Sequence, residues 1–239
     1  MSCSVWYHTI KKEISMEASN TIFCGFSPEM LSFLFELKFS NTLDKQAENL
    51  IKYKKLISEP LMMLYEHLLE TVLDLGLAVE TKPSRCVSTP YTDRRFSPQV
   101  PLKEYMYIRF KHSRKKADIP GLYFDMGAEH YGCGIRIYKQ TSGGMDKLRK
   151  RIKDDPQKFT DAIERLSSAG FTVIGEKYKK DHFPEIEECK AKEILNRRNF
   201  YVERTVPVGE NVFSSSLADE LSFAYRQLSD FYRLLVENL

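Results

Sequence analysis

The spacing of the apolar residues changes twice along this chain of 239 residues. In residues 28–76 the apolar side chains lie three and four positions apart, which predicts helices beginning at Pro28, at Asn41 and at Pro60. Short runs rich in Tyr, Phe, Ile and Val follow, and they predict strands at residues 77–81, 85–91, 105–111, 121–126 and 132–138. Helical spacing then returns, with helices predicted at 145–153, 156–170 and 184–196 and strands at 171–178 and 200–207.

The last predicted helix has one regular apolar stripe. Its members alternate four and three positions apart: Leu217, Leu221, Ala224, Leu228, Phe231 and Leu235. Such a stripe packs on the protein's own sheet or pairs with a second copy as a coiled coil, and its short length favours the sheet. We therefore predict a single-domain α+β fold, in which N-terminal and C-terminal helices pack on a mainly antiparallel sheet formed by the middle of the chain. A monomer and a homodimer both remain open.

The sequence has no internal repeat and no linker long enough to separate two domains. Residues 1–22 are therefore interpreted as an N-terminal extension, and residues 23–239 as a single α+β domain. The longest apolar run, at residues 61–65, is far shorter than the roughly 20 residues that cross a membrane. No secretion signal precedes it, and five cysteines without a short spacing are typical of reduced thiols. These features predict a cytoplasmic protein with no membrane partner.

The net charge of +3 conceals an uneven distribution of charge along the chain. Residues 85–204 carry 26 basic and 17 acidic side chains, a net charge of +9, and two basic clusters stand out at residues 109–116 and 147–153. A positive surface attracts anions, although Lys and Arg often only solvate loops and helix faces. The excess favours an anionic ligand, and it directs attention to Arg109 and Arg136, which lie on predicted strands.

Motifs that specify common cofactors are absent from the sequence. It has no phosphate-binding Gly-x-x-x-x-Gly-Lys-[Ser/Thr] loop, and Gly132-Cys133-Gly134 lacks the third glycine of a dinucleotide fingerprint. The five histidines have neither the i, i+4 spacing nor the neighbouring cysteine pair of a zinc site. We therefore expect no cofactor and no metal. Asp125, Glu129 and His130 fit either a polar hairpin turn or a small catalytic group, and the sequence does not distinguish the two.

The segment from Tyr91 to Lys103 resembles the signature of a bacterial family, domain of unknown function 2461. Other motifs match in the family's order: Phe23-Cys24-Gly25-Phe26, Pro120-Gly121-Leu122-Tyr123 and Ala169-Gly170-Phe171. The resemblance extends over residues 23–238 and identifies the chain as a divergent member. Asp93, Arg95 and Phe96 of the signature are kept, whereas its two leading arginines are replaced by Thr89 and Thr92. The family brings no established reaction, so the resemblance implies a fold and not an activity.

Within that signature, Asp93, Arg95 and Lys103 have the most obvious binding chemistry. In an extended segment Asp93 and Arg95 share a face, and the carboxylate holds the guanidinium in one orientation. A planar cation held in this way suits a carboxylate or phosphate, and Lys103 adds a positive charge from across the turn. The alternative is an internal ion pair that ties down the loop of residues 94–101. In either case, Phe96 is predicted to anchor this loop in the core. Both interpretations remain open.

Two classes of function follow from these features. The first is a protein that binds an anionic small molecule or partner on a basic sheet surface. Its candidate ligand-binding residues are Asp93, Arg95, Lys103, Arg109, Arg136 and His130. The second is an enzyme acting on a phosphorylated or carboxylated substrate, with Asp93 or His130 as the acid–base group. A weaker third class is nucleic-acid binding through residues 109–116, with Tyr105, Tyr107 and Tyr123 as stacking residues. It is weaker because an isoelectric point near 8.4 is low for that function.

Overall fold

A five-stranded antiparallel sheet occupies the middle of the chain. Its strands are β1 (Met106–Lys111), β2 (Ile119–Met126), β3 (His130–Tyr138), β4 (Thr172–Ile174) and β5 (Tyr201–Pro207), in the order β1-β2-β3-β5-β4. The computed structural model describes residues 22–93, 95–113, 118–138 and 140–237. The predicted α+β fold, with helices from both ends of the chain around an antiparallel sheet, is confirmed.

The helices before the sheet are longer than the sequence pattern predicts. After α1 (Pro28–Ser40), the segments α2 (Gln46–Tyr53), a π-helical turn (Lys54–Ser58) and α3 (Glu59–Asp74) form one continuous helical stretch. The predicted third helix is present, with Pro60 as its second residue, but it continues directly from the π-helical turn. Pro60 has no N–H to donate, and its ring crowds the carbonyl four residues earlier. The wider π turn just before it, where the Glu59 amide donates to the Lys54 carbonyl, accommodates the proline within the stretch.

The remaining helices alternate with strands or end the chain. They are α4 (Pro83–Cys86), α5 (Ser142–Asp154), α6 (Pro156–Ser168), α7 (Lys192–Leu195) and α8 (Ser216–Val236). Local capping sets two of their starts, because the Thr141 hydroxyl accepts from the Gly144 amide and the Asp155 carboxylate accepts from the Lys158 amide.

Some predicted elements differ from the structure. The predicted strands at residues 77–81 and 85–91 form only isolated bridges, and α4 includes the first two residues of the second. Pro83 explains this difference, since it fixes a helical φ and cannot donate to a strand ladder. In residues 184–196 only α7 is helical. Side-chain bonds hold the chain around this segment instead, with the Asp181 carboxylate accepting from Asn196 and pairing with Lys192.

Helices α3 and α8 pack on one face of the sheet. The apolar stripe of α8, from Leu217 to Leu235, is buried there, as predicted for packing on the protein's own sheet. Each fully buried Leu contributes about 1.5–3 kcal/mol of hydrophobic stabilisation. The ring of Tyr65 on α3 stacks on Phe110 of β1 at 5.7 Å, and Tyr225 of α8 meets Phe110 edge-on at 6.1 Å. Helices from both ends of the chain therefore share one core with β1.

None of the helices within the described ranges is long and apolar enough to cross a membrane. Cys24, Cys86, Cys133 and Cys189 are unpaired thiols. Cys3 lies outside the described residues, as does nearly all of the predicted extension at residues 1–22.

Candidate functional site

The face of the sheet turned away from α3 and α8, which we call the open sheet face, carries polar and aromatic side chains. Strand pairing aligns them in three rows across β1, β2, β3 and β5. The rows are Tyr107–Asp125–Gly132–Thr205, Arg109–Tyr123–Gly134–Glu203 and Lys111–Gly121–Arg136–Tyr201. Because directly paired residues of antiparallel strands point to the same face, these positions form one surface.

Two glycines on β3 let side chains from the flanking strands meet across it. In the row of Gly134, the hydroxyl of Tyr123 on β2 donates a hydrogen bond of 2.5 Å to Oε2 of Glu203 on β5. In the row of Gly132, the carboxylate of Asp125 lies over the glycine, since a Cβ there would be 3.3 Å from its Oδ1. Because neither position has a side chain, Tyr123 and Asp125 pack over β3, and we call the two glycines with these side chains the glycine floor.

Arg136 is held by aromatic rings beside this floor. Its guanidinium carbon lies 4.6 Å from the ring centre of Tyr123 and 4.9 Å from that of Tyr201. Its Nη2 lies 3.6 Å from Oε2 of Glu203. Cation–π contacts of this kind contribute about 0.5–1 kcal/mol each at exposed sites. Their more important effect is that they hold a planar cation in one orientation.

Arg109 and Lys103 approach a third tyrosine ring from β1 and from the loop before it. The guanidinium carbon of Arg109 lies 3.7 Å from the ring centre of Tyr107, and Nζ of Lys103 lies 5.5 Å from it. Nζ of Lys103 also donates to the carbonyl oxygen of Thr89 at 2.7 Å. Burial lowers the pKa of Lys103, and the positive charge of Arg109 lowers it further. An anion placed near these two cations would relieve their repulsion.

The carboxyl group of Asp125 lies within this arrangement and is half-buried. Burial raises its pKa, the guanidinium groups of Arg136 and Arg109 oppose that effect, and the charge of Glu203 adds to it. The net result is a pKa above that of an ordinary aspartate. Such a carboxyl group holds its proton to a higher pH, which is a property of general acids.

The structure brings three of the six predicted ligand-binding residues to this surface. Lys103, Arg109 and Arg136 all lie against its tyrosine rings. His130 is exposed at the first position of β3. It is six residues from Arg136, or about 20 Å along an extended strand, so it lies away from the arginines.

Asp93 and Arg95 pair with each other in an exposed loop. Nη2 of Arg95 donates to Oδ2 of Asp93 at 2.6 Å and Nε donates to Oδ1 at 2.9 Å, and the Arg95 side chain is 82% exposed. The side-chain hydrogen bond from Arg95 lowers the pKa of Asp93 to about 2. Asp93 is therefore ionised at neutral pH and has no proton to donate as a general acid.

The prediction that Phe96 anchors this loop in the core is wrong, because its ring is 83% exposed. The loop is held by its own backbone. The amides of Phe96 and Ser97 both donate to the Asp93 carbonyl at 3.0 Å. A turn closed by such bonds does not require a buried aromatic anchor.

Part of the basic cluster at residues 147–153 supports the fold. Arg149 is buried, and its guanidinium donates to the carbonyl oxygens of Arg197 at 2.6 Å and Leu195 at 3.3 Å. Arg151 donates to the Leu235 carbonyl near the end of α8 at 3.2 Å. Of the other cluster, residues 114–116 lie outside the described part of the chain. The charge excess of residues 147–153 therefore includes two arginines that bond to the protein's own backbone.

Glu203 and the role of the two glycines are the parts of this surface that the sequence analysis missed. One signal was available, because glycines two positions apart on a strand share a face and leave a gap there. The partner across the gap was not recognisable, since Glu203 lies 80 residues from Tyr123. Within the described ranges, no group of three or more His, Cys, Asp or Glu side chains is placed to hold a metal ion.

These features define an α+β protein whose antiparallel sheet is covered by helices on one face and is charged on the other. The chain belongs to DUF2461, a family of conserved hypothetical proteins whose model matches residues 29–233. The resemblance predicted from the signature around Asp93 is thereby confirmed. No curated protein matches the sequence.

Proposed function

We propose that the protein binds an anionic small molecule, carrying a phosphate or carboxylate group, on the open sheet face. The observation that carries the proposal is the pair of ring-held guanidinium groups beside the glycine floor: Arg136 against Tyr123 and Tyr201, and Arg109 against Tyr107. A guanidinium that is already oriented loses little rotamer freedom when it binds an anion. It also offers parallel N–H donors to two oxygens of the same group.

The balance of charge on the open sheet face supports an anion over a cation. Its basic side chains are Lys103, Arg109, Lys111 and Arg136, against the acidic Asp125 and Glu203. The oxygens of Glu203 already accept from the hydroxyls of Tyr123 and Thr205. Burial raises the pKa of Asp125, so its opposing charge is lost at a higher pH than that of an ordinary aspartate. An incoming phosphate or carboxylate therefore meets a net positive surface. Asp93 and Arg95, which neutralise each other, are not needed for this function.

Isothermal titration calorimetry with inorganic phosphate and with citrate tests the proposal. Arg136→Gln is expected to weaken binding of either anion at least tenfold, because a hydrogen bond to a charged group is worth about 1.5–3 kcal/mol. Arg165→Gln removes the same charge from an exposed position on α6, which packs with α8, and should leave binding unchanged. Affinity should also fall as salt rises. No saturable binding, or equal affinity of the parent and both variants, would contradict the proposal.

An enzyme acting on the bound anion is a second candidate, and Asp125 favours it. Its half-buried carboxyl group has a raised pKa and interacts with both arginines. A proton held there is available to the leaving group of a phosphate or carboxylate substrate. A panel of phosphate esters that begins with p-nitrophenyl phosphate tests this function. Turnover that is lost in Asp125→Asn, while phosphate binding persists, would support an enzyme. Binding without any turnover would leave a binding protein.

A further inference from the structure

We infer that a second ligand site lies in the cleft between α5 and residues 178–183, and that it takes a nucleobase carrying a phosphate group. The cleft has a volume of about 490 Å³. None of its lining residues belongs to the open sheet face, so the inference is independent of the proposed function. One wall is aromatic, with Tyr178, His182 and Phe183, and the other is cationic, with Lys150 and Lys153.

The aromatic wall is a fixed stack of rings. The ring centres of Tyr178 and His182 lie 4.3 Å apart, with their planes tilted by 33°. The Tyr178 hydroxyl accepts from Nη2 of Arg149 at 3.2 Å. The backbone amide of Tyr178 donates to the Asn196 carbonyl, and that of His182 to the Asn196 side chain, both at 2.9 Å. His182 is exposed, so the stack presents an aromatic surface on which a base can lie without reordering the segment.

The cationic wall is supplied by neighbouring turns of α5. Nζ of Lys153 lies 4.6 Å from the ring centre of Phe183 and 3.3 Å from Oε1 of Glu185. Lys150 forms no ion pair with any residue that the structure describes. The acidic side chain of the cleft, Asp146, is already bonded to Arg149 at 2.7 Å. The charge left for a ligand is therefore positive.

The combination of the two walls selects the ligand class. A simple anion would use the lysines and leave the stack of Tyr178 and the exposed His182 uncovered. An uncharged aromatic compound would cover the stack and leave the positive charge of Lys150 without an anionic partner. Aromatic stacking beside a positively charged track is how proteins hold nucleotides without reading their sequence. The cleft volume lies within the range of about 300–1,000 Å³ typical of small-molecule sites. The ligand is thus a free mononucleotide or one nucleotide of a single strand.

Calorimetric titrations of the full chain with AMP and with ribose 5-phosphate test the inference. They are made in the Arg136→Gln variant, because the open sheet face would also attract a phosphate. AMP is expected to bind at least tenfold more tightly than ribose 5-phosphate. His182→Ala should weaken AMP about tenfold and leave ribose 5-phosphate unchanged, whereas His182→Phe, which keeps an aromatic ring, should retain AMP. Lys150→Ala should weaken both ligands. Lys55→Ala, an exposed lysine of the π-helical turn, should weaken neither.

A labelled dT10 oligonucleotide separates the two sources of the ligand. Tighter binding of dT10 than of AMP, with AMP competing, assigns the site to a single strand. Tighter binding of AMP assigns it to a free nucleotide. Equal affinity for AMP and ribose 5-phosphate, or AMP affinity that His182→Ala leaves unchanged, would overturn the inference. Neither of these two results bears on the open sheet face. Anion binding there is measured separately, as the loss of phosphate affinity that Arg136→Gln causes.

Discussion

A methyl group added at Gly134 is the most direct test of how the site is built. A Cβ at this position would lie 1.9 Å from the carbonyl oxygen of Val202 and 3.0 Å from Cα of Glu203. Non-bonded heavy atoms are normally about 3.5–4 Å apart, so β3 and β5 would have to separate by roughly 1.5 Å. Both atoms belong to the backbone and cannot rotate away. Gly134→Ala would therefore also pull Glu203 away from the hydroxyl of Tyr123.

The expected loss of stability combines two effects. Overpacking a well-packed site costs about 1–3 kcal/mol. Weakening one or two ladder hydrogen bonds between β3 and β5 adds about 1 kcal/mol for each bond. The total is about 2–5 kcal/mol in the free energy of unfolding. For a chain of this size, each kcal/mol lowers the melting temperature by about 2–4 °C. Gly134→Ala should therefore melt about 4–20 °C below the parent.

Urea denaturation of three glycine variants provides the assay. Gly127→Ala is the matched control, because a Cβ there meets nothing within 4 Å, and it should be as stable as the parent or slightly more stable. Gly132→Ala should fall between the two, since its Cβ would meet the end of the Asp125 side chain, which can move. If Gly134→Ala unfolds at the same urea concentration as Gly127→Ala, the close approach of β5 to Gly134 is wrong.

The remaining predictions concern buried groups. Arg149→Ala should lower the free energy of unfolding in urea by about 2–4 kcal/mol, since it leaves buried carbonyl groups without their donor. Asp125→Asn should raise the melting temperature at pH 7. Because burial raises the pKa of Asp125 above the ordinary 3.8, the stability that its neutral form provides is lost as pH rises through the raised pKa. The difference in melting temperature between Asp125→Asn and the parent should shrink as pH falls toward 4. Iodoacetamide at pH 8 should label the exposed Cys24 well before Cys86 and Cys133, whose pKa values burial raises to about 11 and about 12, and peptide mass spectrometry measures the order.

Each of these three predictions has a result that would contradict it. An Arg149→Ala protein as stable as the parent would show that the guanidinium does not support the chain before β5. An Asp125→Asn protein that melts below the parent at pH 7 would show that the attraction of the arginines exceeds the cost of burial. Early labelling of Cys133 would place its thiol at the surface.

The sequence by itself determined the elements whose apolar pattern is local. The stripe of α8 repeats on one face of a helix, and β1, β2 and β3 are β-rich runs bounded by turn residues, so each was recognisable without its neighbours. The basic excess of residues 85–204 similarly pointed to Arg109 and Arg136. The family signature around Asp93 identified the fold, although its ion pair lies in an exposed loop.

Only the tertiary structure decided which charged groups share a surface. Tyr123 reaches Glu203 because pairing places β5 beside β3 and puts Gly134 between the two side chains, a juxtaposition of residues 80 positions apart. Local periodicity cannot encode it, since the register of distant strands depends on the packing of the whole core. The same reason explains why the burial of Arg149 was not predicted, because in the sequence it is one more basic residue of the cluster at residues 147–153. Burial beside two backbone carbonyls makes it a structural residue.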